Sequence, residues 1–207
     1  MDLVLVRHAE PVRTVAGTVD GPADPGLTPL GFEQAQRLAE WLAYERIDAV
    51  LSSPMRRARE TAEPLAALVG LEVEIVDGLV EYDAASDDYI PMDELQASGD
   101  PRWIAMVEGR WEEFGADPAH VFKARVAQAV EEIIDRHAGR RVVAVCHGGV
   151  VNCALASILD IDRYLWFEPG YTSISRVAAS RSGVRSVVSL NERAHLEATR
   201  HRTGDAP

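Results

Sequence analysis

The stretch LVLVRHAEP, Leu3 to Pro11, runs four aliphatic residues into Arg7 and His8. A second stretch, RRVVAVCHGG, Arg140 to Gly149, has the same form: an apolar run that ends on His147. Continuous Val/Leu/Ala runs of this kind read as strands buried on both faces of a parallel sheet. Open sheets of that type place their ligand crevice at the carboxyl ends of the strands, so His8 and His147 are expected to meet there. Either histidine alone reads equally well as a strand-end imidazole bonded to a carbonyl. The pair, with Arg7 beside one and Gly148 and Gly149 after the other, points to a site. Glycines strip side chains from the start of the following helix and let its N–H groups approach an anion.

Outward from these two strands, strand-like and helix-like segments alternate, which favours a layered α/β fold. Ala49–Ser52 and Leu71–Val76 read as further strands, and Ile174–Ala179 with Val184–Leu190 as a closing hairpin. TPLGFEQAQRLAEWLAYE opens a helix with Thr28 as N-cap and Pro29 at the first position. SPMRRARETAEPLAALVG repeats that grammar, with Ser53 as cap, Pro54 just inside, Pro64 as a candidate kink and Gly70 as terminator. Pro118–His137 and Val150–Leu159 are the other long helices. Residues 77–117 lose periodicity and collect Pro, Asp and aromatic residues, the composition of short helices and loops forming a lid. At 207 residues and 47% hydrophobic content, one domain over residues 1–196 is expected, with a flexible tail at 197–207.

The formal charge of −12 argues against nucleic acid or an anionic membrane as partner, since both require a basic footprint. No apolar run approaches a membrane span, and a strand starting at residue 2 or 3 leaves no room for a signal peptide, so the expectation is a cytoplasmic protein. Cys146 and Cys153 read as reduced thiols used as small hydrophobes. A homo-oligomer is left open.

On a helical wheel Met55, Ala58, Ala62, Leu65 and Val69 share one face. Arg56 points away from it and can pair with Glu60 four residues on. Arg57 and Arg59 lie on opposite borders of that face, and the wheel does not choose between them.

The sequence resembles the histidine phosphatase, or phosphoglycerate mutase-like, superfamily. VRHAE is similar to the family's Arg-His-Gly-Glu signature, DPGLTPLGFEQA to its Leu-Thr…Gly…Gln-Ala segment, SSPMRRARETA to its Ser…Arg-Ala…Thr-Ala motif and VCHGGVV to its second-histidine motif. LVEYD sits where the family carries an acid. The resemblance covers nearly the whole chain in order. It implies a three-layer α/β/α sandwich with a mostly parallel central sheet of about six strands and a helical lid insertion. It selects Arg57 as a phosphate ligand beside Arg7, His8, His147 and Gly148, and gives Glu81 the role of acid, with Asp83 as its local rival. Two departures stand out: Ala9 replaces the signature glycine, and Thr14 stands where many members have a phosphate-contacting Asn, a contact that is not carried over.

The residue types suit phosphoryl transfer, which is catalysed by positioning and by compensating charge on the equatorial oxygens. Guanidinium groups at Arg7 and Arg57 offer paired donors and stay charged. Neighbouring cations should hold His8 neutral and nucleophilic, giving a phosphohistidine intermediate. His147 would add a donor, and Glu81 would protonate the leaving oxygen and then activate water. Without the resemblance, Glu81 reads as an ordinary loop carboxylate. A metallohydrolase using His8, His147, Glu81 and Asp83 as ligands is disfavoured, because Arg7 and Arg57 would crowd a dication. A non-catalytic phosphate-binding module is the other rival. The expectation is a phosphatase acting on a small phosphate monoester without metal or organic cofactor. Within the resemblance the alternative is a mutase. A mutase must retain a bisphosphate, whereas the segment after Glu81 carries Asp83, Asp87, Asp88, Asp93, Glu94 and Asp100 and no cation before Arg102. Compensation would have to come from Arg102, Arg110 or the tail arginines. Tyr82, Tyr89, Trp103, Trp111, Phe114 and Tyr171 are either packing residues of the lid or walls of a leaving-group pocket.

Overall fold

The computed structural model describes residues 1–18 and 20–197. Strand β1 (Asp2–Arg7) pairs in parallel with β4 (Arg141–Cys146), Leu3 opposite Val142 and Arg7 opposite Cys146. The next residue on each chain is a histidine, so this register alone puts His8 beside His147. The sheet continues outward from β4 through β2 (Ala49–Ser52) to β3 (Val73–Ile75), all parallel. On the other side of β1 lie β5 (Ile174–Ala179) and β6 (Arg185–Glu192), each antiparallel to its neighbour.

Alternating side chains of β1 serve two cores, as the period of a strand requires. Leu3 and Leu5, with Val142 and Ala144, pack under Phe122, Val126 and Ile133 of helix α5 (Ala119–Arg136) and Val150 and Leu155 of α6 (Gly148–Leu159). Val4 and Val6, with Val143 and Val145, pack under Leu38 and Leu42 of α1 (Pro29–Leu42) and Ala58, Ala62 and Leu65 of α2 (Arg56–Val69). The result is the expected three-layer α/β/α sandwich. The insertion carries α3 (Met92–Ser98) and α4 (Pro101–Glu108) between 3-10 turns at Asp77–Leu79 and Trp111–Phe114. A short α7 (Ala194–Glu197) contacts α1. Of the expected flexible tail at 197–207, Glu197 is instead the last residue of α7, and residues 198–207 lie outside the described residues.

Local details differ from the sequence reading. Thr28 caps α1 as expected, accepting from the Gly31 N–H at 2.9 Å. Ser53 does not cap α2: the helix starts at Arg56, and the Arg56 N–H donates to Asp24 Oδ1 at 2.9 Å, a cap lent by another loop. The helix runs on through Pro64 to Gly70, which takes the left-handed conformation with φ 70°. Helix α6 begins at Gly148, two residues before the expected start, β3 is shorter than Leu71–Val76, and β6 runs to Glu192.

The loop after His8 is held by close backbone approach. The Thr28 N–H donates to the Glu10 carbonyl at 3.0 Å, and a Cβ at Gly31 would lie 2.1 Å from that same oxygen. Gly31→Ala therefore forces α1 off this loop, at an expected cost of about 1–3 kcal/mol. Thermal denaturation should show Tm falling by roughly 2–4 °C for each kcal/mol; an unchanged Tm would mean the contact is not constrained as described.

Candidate active site

Four side chains from three segments converge at the carboxyl end of β1 and β4. Arg7 and His8 end β1, His147 follows β4, and Arg57 comes from the first turn of α2; all four are buried, at 8%, 2%, 0% and 1% exposure. The Arg7 guanidinium donates to the Pro169 carbonyl and lies 4.2 Å from the centroid of the Tyr171 ring. The Arg57 guanidinium lies 4.8 Å from the Tyr89 centroid and donates to both Asp83 oxygens, at 2.8 and 3.1 Å. The structure thus buries Arg57 in the cluster and leaves Arg59 exposed, a distinction that the wheel does not make. Arg56 is exposed too and paired with Glu60 at 2.6 Å, as expected.

His8 Nδ1 faces its neighbour's carbonyl, Ala9 O, at 2.8 Å. A carbonyl only accepts, so Nδ1 carries the proton and Nε2 keeps its lone pair. Burial, then the fields of Arg57 and Arg7, hold the His8 pKa well below that of a free imidazole. Burial thus ranks ahead of the cations that the sequence pointed to. His147 is held down in the same way, by burial, Arg57 and His8. Its ring centroid is 5.1 Å from that of His8, and its Nε2 shares a 2.8 Å hydrogen bond with Ser53 Oγ. Four nitrogens of this cluster are buried with no hydrogen-bond partner: Arg7 Nε, Arg57 Nε, Arg57 Nη1 and His147 Nδ1. Unmatched donors on two guanidinium groups are suited to an anion.

Glu81 faces the cluster from the insertion. Its Oε2 accepts from the Gly149 N–H at 2.7 Å and its Oε1 from the Tyr82 N–H at 3.1 Å. Burial and the neighbouring Asp83 carboxylate outweigh these bonds and push its pKa up to about 7. Gly149 is required for this approach, because a Cβ there would sit 2.4 Å from Glu81 Oε1. The N–H that the sequence reading offers to an anion is therefore spent on Glu81, while Gly148 lines the cavity. Asp83, the rival acid, is the counter-ion of Arg57. Arg125 of α5 steadies the approach to Glu81 by donating to the Gly78 and Val80 carbonyls at 2.8 and 2.9 Å.

Arg7, His8, Arg57, Glu81, Asp83 and Gly148 open onto one cavity of about 340 Å³; His147 is fully buried against His8 and is not part of that lining. Among the described residues no three His, Cys, Asp or Glu side chains group as metal ligands would, and no helix is long and apolar enough to cross a membrane. Both cysteines are buried free thiols.

A model of the histidine phosphatase superfamily, branch 1, matches residues 3–193. The chain belongs to this family. It is 30% identical over 198 residues to phosphoserine phosphatase 1 of Hydrogenobacter thermophilus, covering 94% of this chain and 93% of that protein. It is 32% identical over 164 residues to phosphoglycerate mutase-like protein 4 of Arabidopsis thaliana, covering 73% and 68%. Among solved structures, a mycobacterial glucosyl-3-phosphoglycerate phosphatase in complex with VO3 superposes with a TM-score of 0.75 at 25% identity, covering 93% of this chain and 99% of that one.

The two departures from the histidine phosphatase pattern are explained by the geometry. Ala9 is buried against Leu27 and Ala35, its φ is outside the left-handed region, and its N–H donates to Thr61 Oγ1 at 2.9 Å; glycine is not needed there. Thr14 does not line the cavity but exchanges backbone hydrogen bonds with Tyr89, tying its loop to the insertion. Of the six aromatic candidates, Tyr82, Tyr89, Trp103 and Phe114 line the cavity, Trp111 is fully buried in the core, and Tyr171 stacks on Arg7. No local sequence signal marks Arg125 as a positioning residue, and at Ser53 a helix-cap signal conceals the contact with His147.

Arg57→Ala removes the more deeply buried of the two guanidinium groups, and the affinity of the variant for inorganic phosphate in calorimetry should fall by about 10- to 100-fold, the scale of a hydrogen bond to a charged group. Arg59→Ala should stay within about twofold of the parent. Equal losses in both would contradict this assignment.

Proposed function

We propose that this member of the family is a phosphatase that hydrolyses small-molecule phosphate monoesters through a phosphohistidine at His8. The observation that carries the reading is the set of buried, unmatched nitrogens around a neutral His8 whose Nε2 is free. In this reading the phosphoryl oxygens take the donors of Arg7, Arg57 and His147, with Gly148 beside them, and displace Asp83 from Arg57. His8 Nε2 attacks phosphorus while the bond to the leaving oxygen breaks, and protonated Glu81 supplies that oxygen with its proton. Glu81, now a carboxylate, takes a proton from water as the water attacks the phosphohistidine. Inorganic phosphate, free His8 and protonated Glu81 result. Residues 1–196 act as one domain, with 77–117 as the insertion that shapes the leaving-group side.

Hydrolysis is favoured over mutase transfer by the state of the cations near the insertion. Arg102 is held by Asp88 and Asp100 at 2.9 Å each, Arg110 by Glu108 and Glu113, and Lys123 donates to the Ile161 carbonyl. None of these is free to retain a bisphosphate. The purified protein should release phosphate from p-nitrophenyl phosphate, be inhibited by vanadate and be indifferent to chelator. It should give negligible conversion of 3-phosphoglycerate to 2-phosphoglycerate, with or without the bisphosphate. A mutase rate above the phosphatase rate would overturn the reading.

The acid has its own signature. Glu81 titrates near 7 and is needed protonated for the first half-reaction, so kcat/KM for alkyl esters should fall as pH rises through about 7. p-Nitrophenyl phosphate, whose leaving group needs no proton, should lack that limb. Glu81→Gln should reduce kcat/KM for alkyl esters by about 10²–10⁴ and much less for p-nitrophenyl phosphate. Equal losses on both, or the same pattern in Asp83→Asn instead, would remove Glu81 from the role.

A further inference from the structure

Beyond the phosphate end, the cavity changes character. Its far wall is built by Met92, Leu95, Trp103, Met106, Phe114 and Leu165. The Tyr82 hydroxyl, which would be a polar handle, rests 3.8 Å from the sulfurs of both Met92 and Met106. The polar side chains that do reach this wall are already engaged. Asn152 donates to the Gly148 and Phe167 carbonyls and accepts from the Trp166 and Phe167 N–H groups. Ser86 donates to Asp88 at 2.9 Å. Arg102, the one cation of this cavity's described lining besides Arg7 and Arg57, directs Nη1 to Asp88 and Nε and Nη2 to Asp100. Asp88 and Glu168 also line the cavity. The charge around the leaving group is thus acidic, and its one base is already paired.

We propose, resting on the phosphatase reading above, that the leaving alcohol is uncharged and largely apolar, with an aromatic or branched hydrocarbon body, and carries no carboxylate. An alcohol of that kind gains by burying its body against thioethers, leucines and aromatic rings. A carboxylate-bearing leaving group, such as serine or glycerate, would lose water beside Asp88 and Glu168 and find no unpaired cation to replace it. This separates the chain from its relative named as a phosphoserine phosphatase, although the phosphate end uses the same family chemistry. The side chains that meet the leaving group come from the insertion and from the segment after α6, which supplies Leu165 and Glu168.

The test compares kcat/KM for esters of aliphatic alcohols, so that all leaving groups need a proton and differ chiefly in what the cavity sees. Those esters are 2-phenylethyl phosphate, ethyl phosphate, L-phosphoserine and 3-phosphoglycerate, with p-nitrophenyl phosphate as a measure of chemistry alone. The 2-phenylethyl ester should exceed ethyl phosphate by at least about tenfold, the scale of discrimination by added hydrocarbon in an apolar pocket. L-Phosphoserine and 3-phosphoglycerate should fall at or below ethyl phosphate. Trp103→Ala should shrink the ratio of phenylethyl to ethyl several-fold, and Asp88→Asn, by loosening Arg102, should raise kcat/KM for L-phosphoserine relative to ethyl phosphate. Phosphoserine matching or exceeding the phenylethyl ester, or equal rates across the series, would overturn the inference and leave the phosphatase reading standing. A folded protein that hydrolyses none of the esters, p-nitrophenyl phosphate included, would overturn the phosphatase reading and this inference with it.

Discussion

Burial of positive charge at one end of the sheet governs the rest of this molecule. Arg57 is 1% exposed and Arg7 8%, in a chain whose formal charge is −12. Taking a guanidinium out of water costs several kcal/mol unless partners replace the hydration. Arg7 finds a carbonyl and an aromatic face, and Arg57 finds Asp83 and the Tyr89 ring. The two imidazoles between them answer the same field by staying neutral. In the proposed mechanism the neutral His8, its Nδ1 proton on a carbonyl, is a nucleophile aimed by its own backbone.

The acidic side of the site follows from the same constraint. Asp83 is drawn to Arg57, and its charge then helps to keep the proton on Glu81, one residue beyond its neighbour Tyr82. Two carboxylates two residues apart are thereby given different work, one balancing a cation and the other holding a proton near neutral pH. Binding of a phosphate at Arg57 would replace one anion by another, so the field that keeps Glu81 protonated survives substrate binding. Gly149 makes the arrangement sterically feasible, and Arg125 pins the backbone that leads into Glu81.

Much of this was legible in the sequence because it depends on strands and their register. Two buried runs ending in histidine meet once β1 and β4 pair in parallel, and the amphipathic face of α2 sends Arg56 to solvent while leaving Arg57 and Arg59 undistinguished. What escaped the sequence depends on contacts between distant segments. Ser53 reads as a helix cap until β2 brings it to His147, 94 positions away. The side chain that accepts from the first N–H of α2 is Asp24, 32 positions before Arg56. The pairing of Asp83 with Arg57 and the self-satisfied polar groups of the insertion are equally invisible, since residues 77–117 have no periodicity to fix which way their side chains face.

In the proposed mechanism a neutral His8 carries the phosphoryl group on Nε2. Rapid alkaline quench during turnover of a poor-leaving-group ester, followed by phosphopeptide mapping and ³¹P NMR of the adduct, tests it most directly. One acid-labile phosphoryl group is expected, on His8 and on Nε2, and absent in His8→Ala. Turnover at full rate by His8→Ala, or an adduct mapped to any other residue, would contradict it.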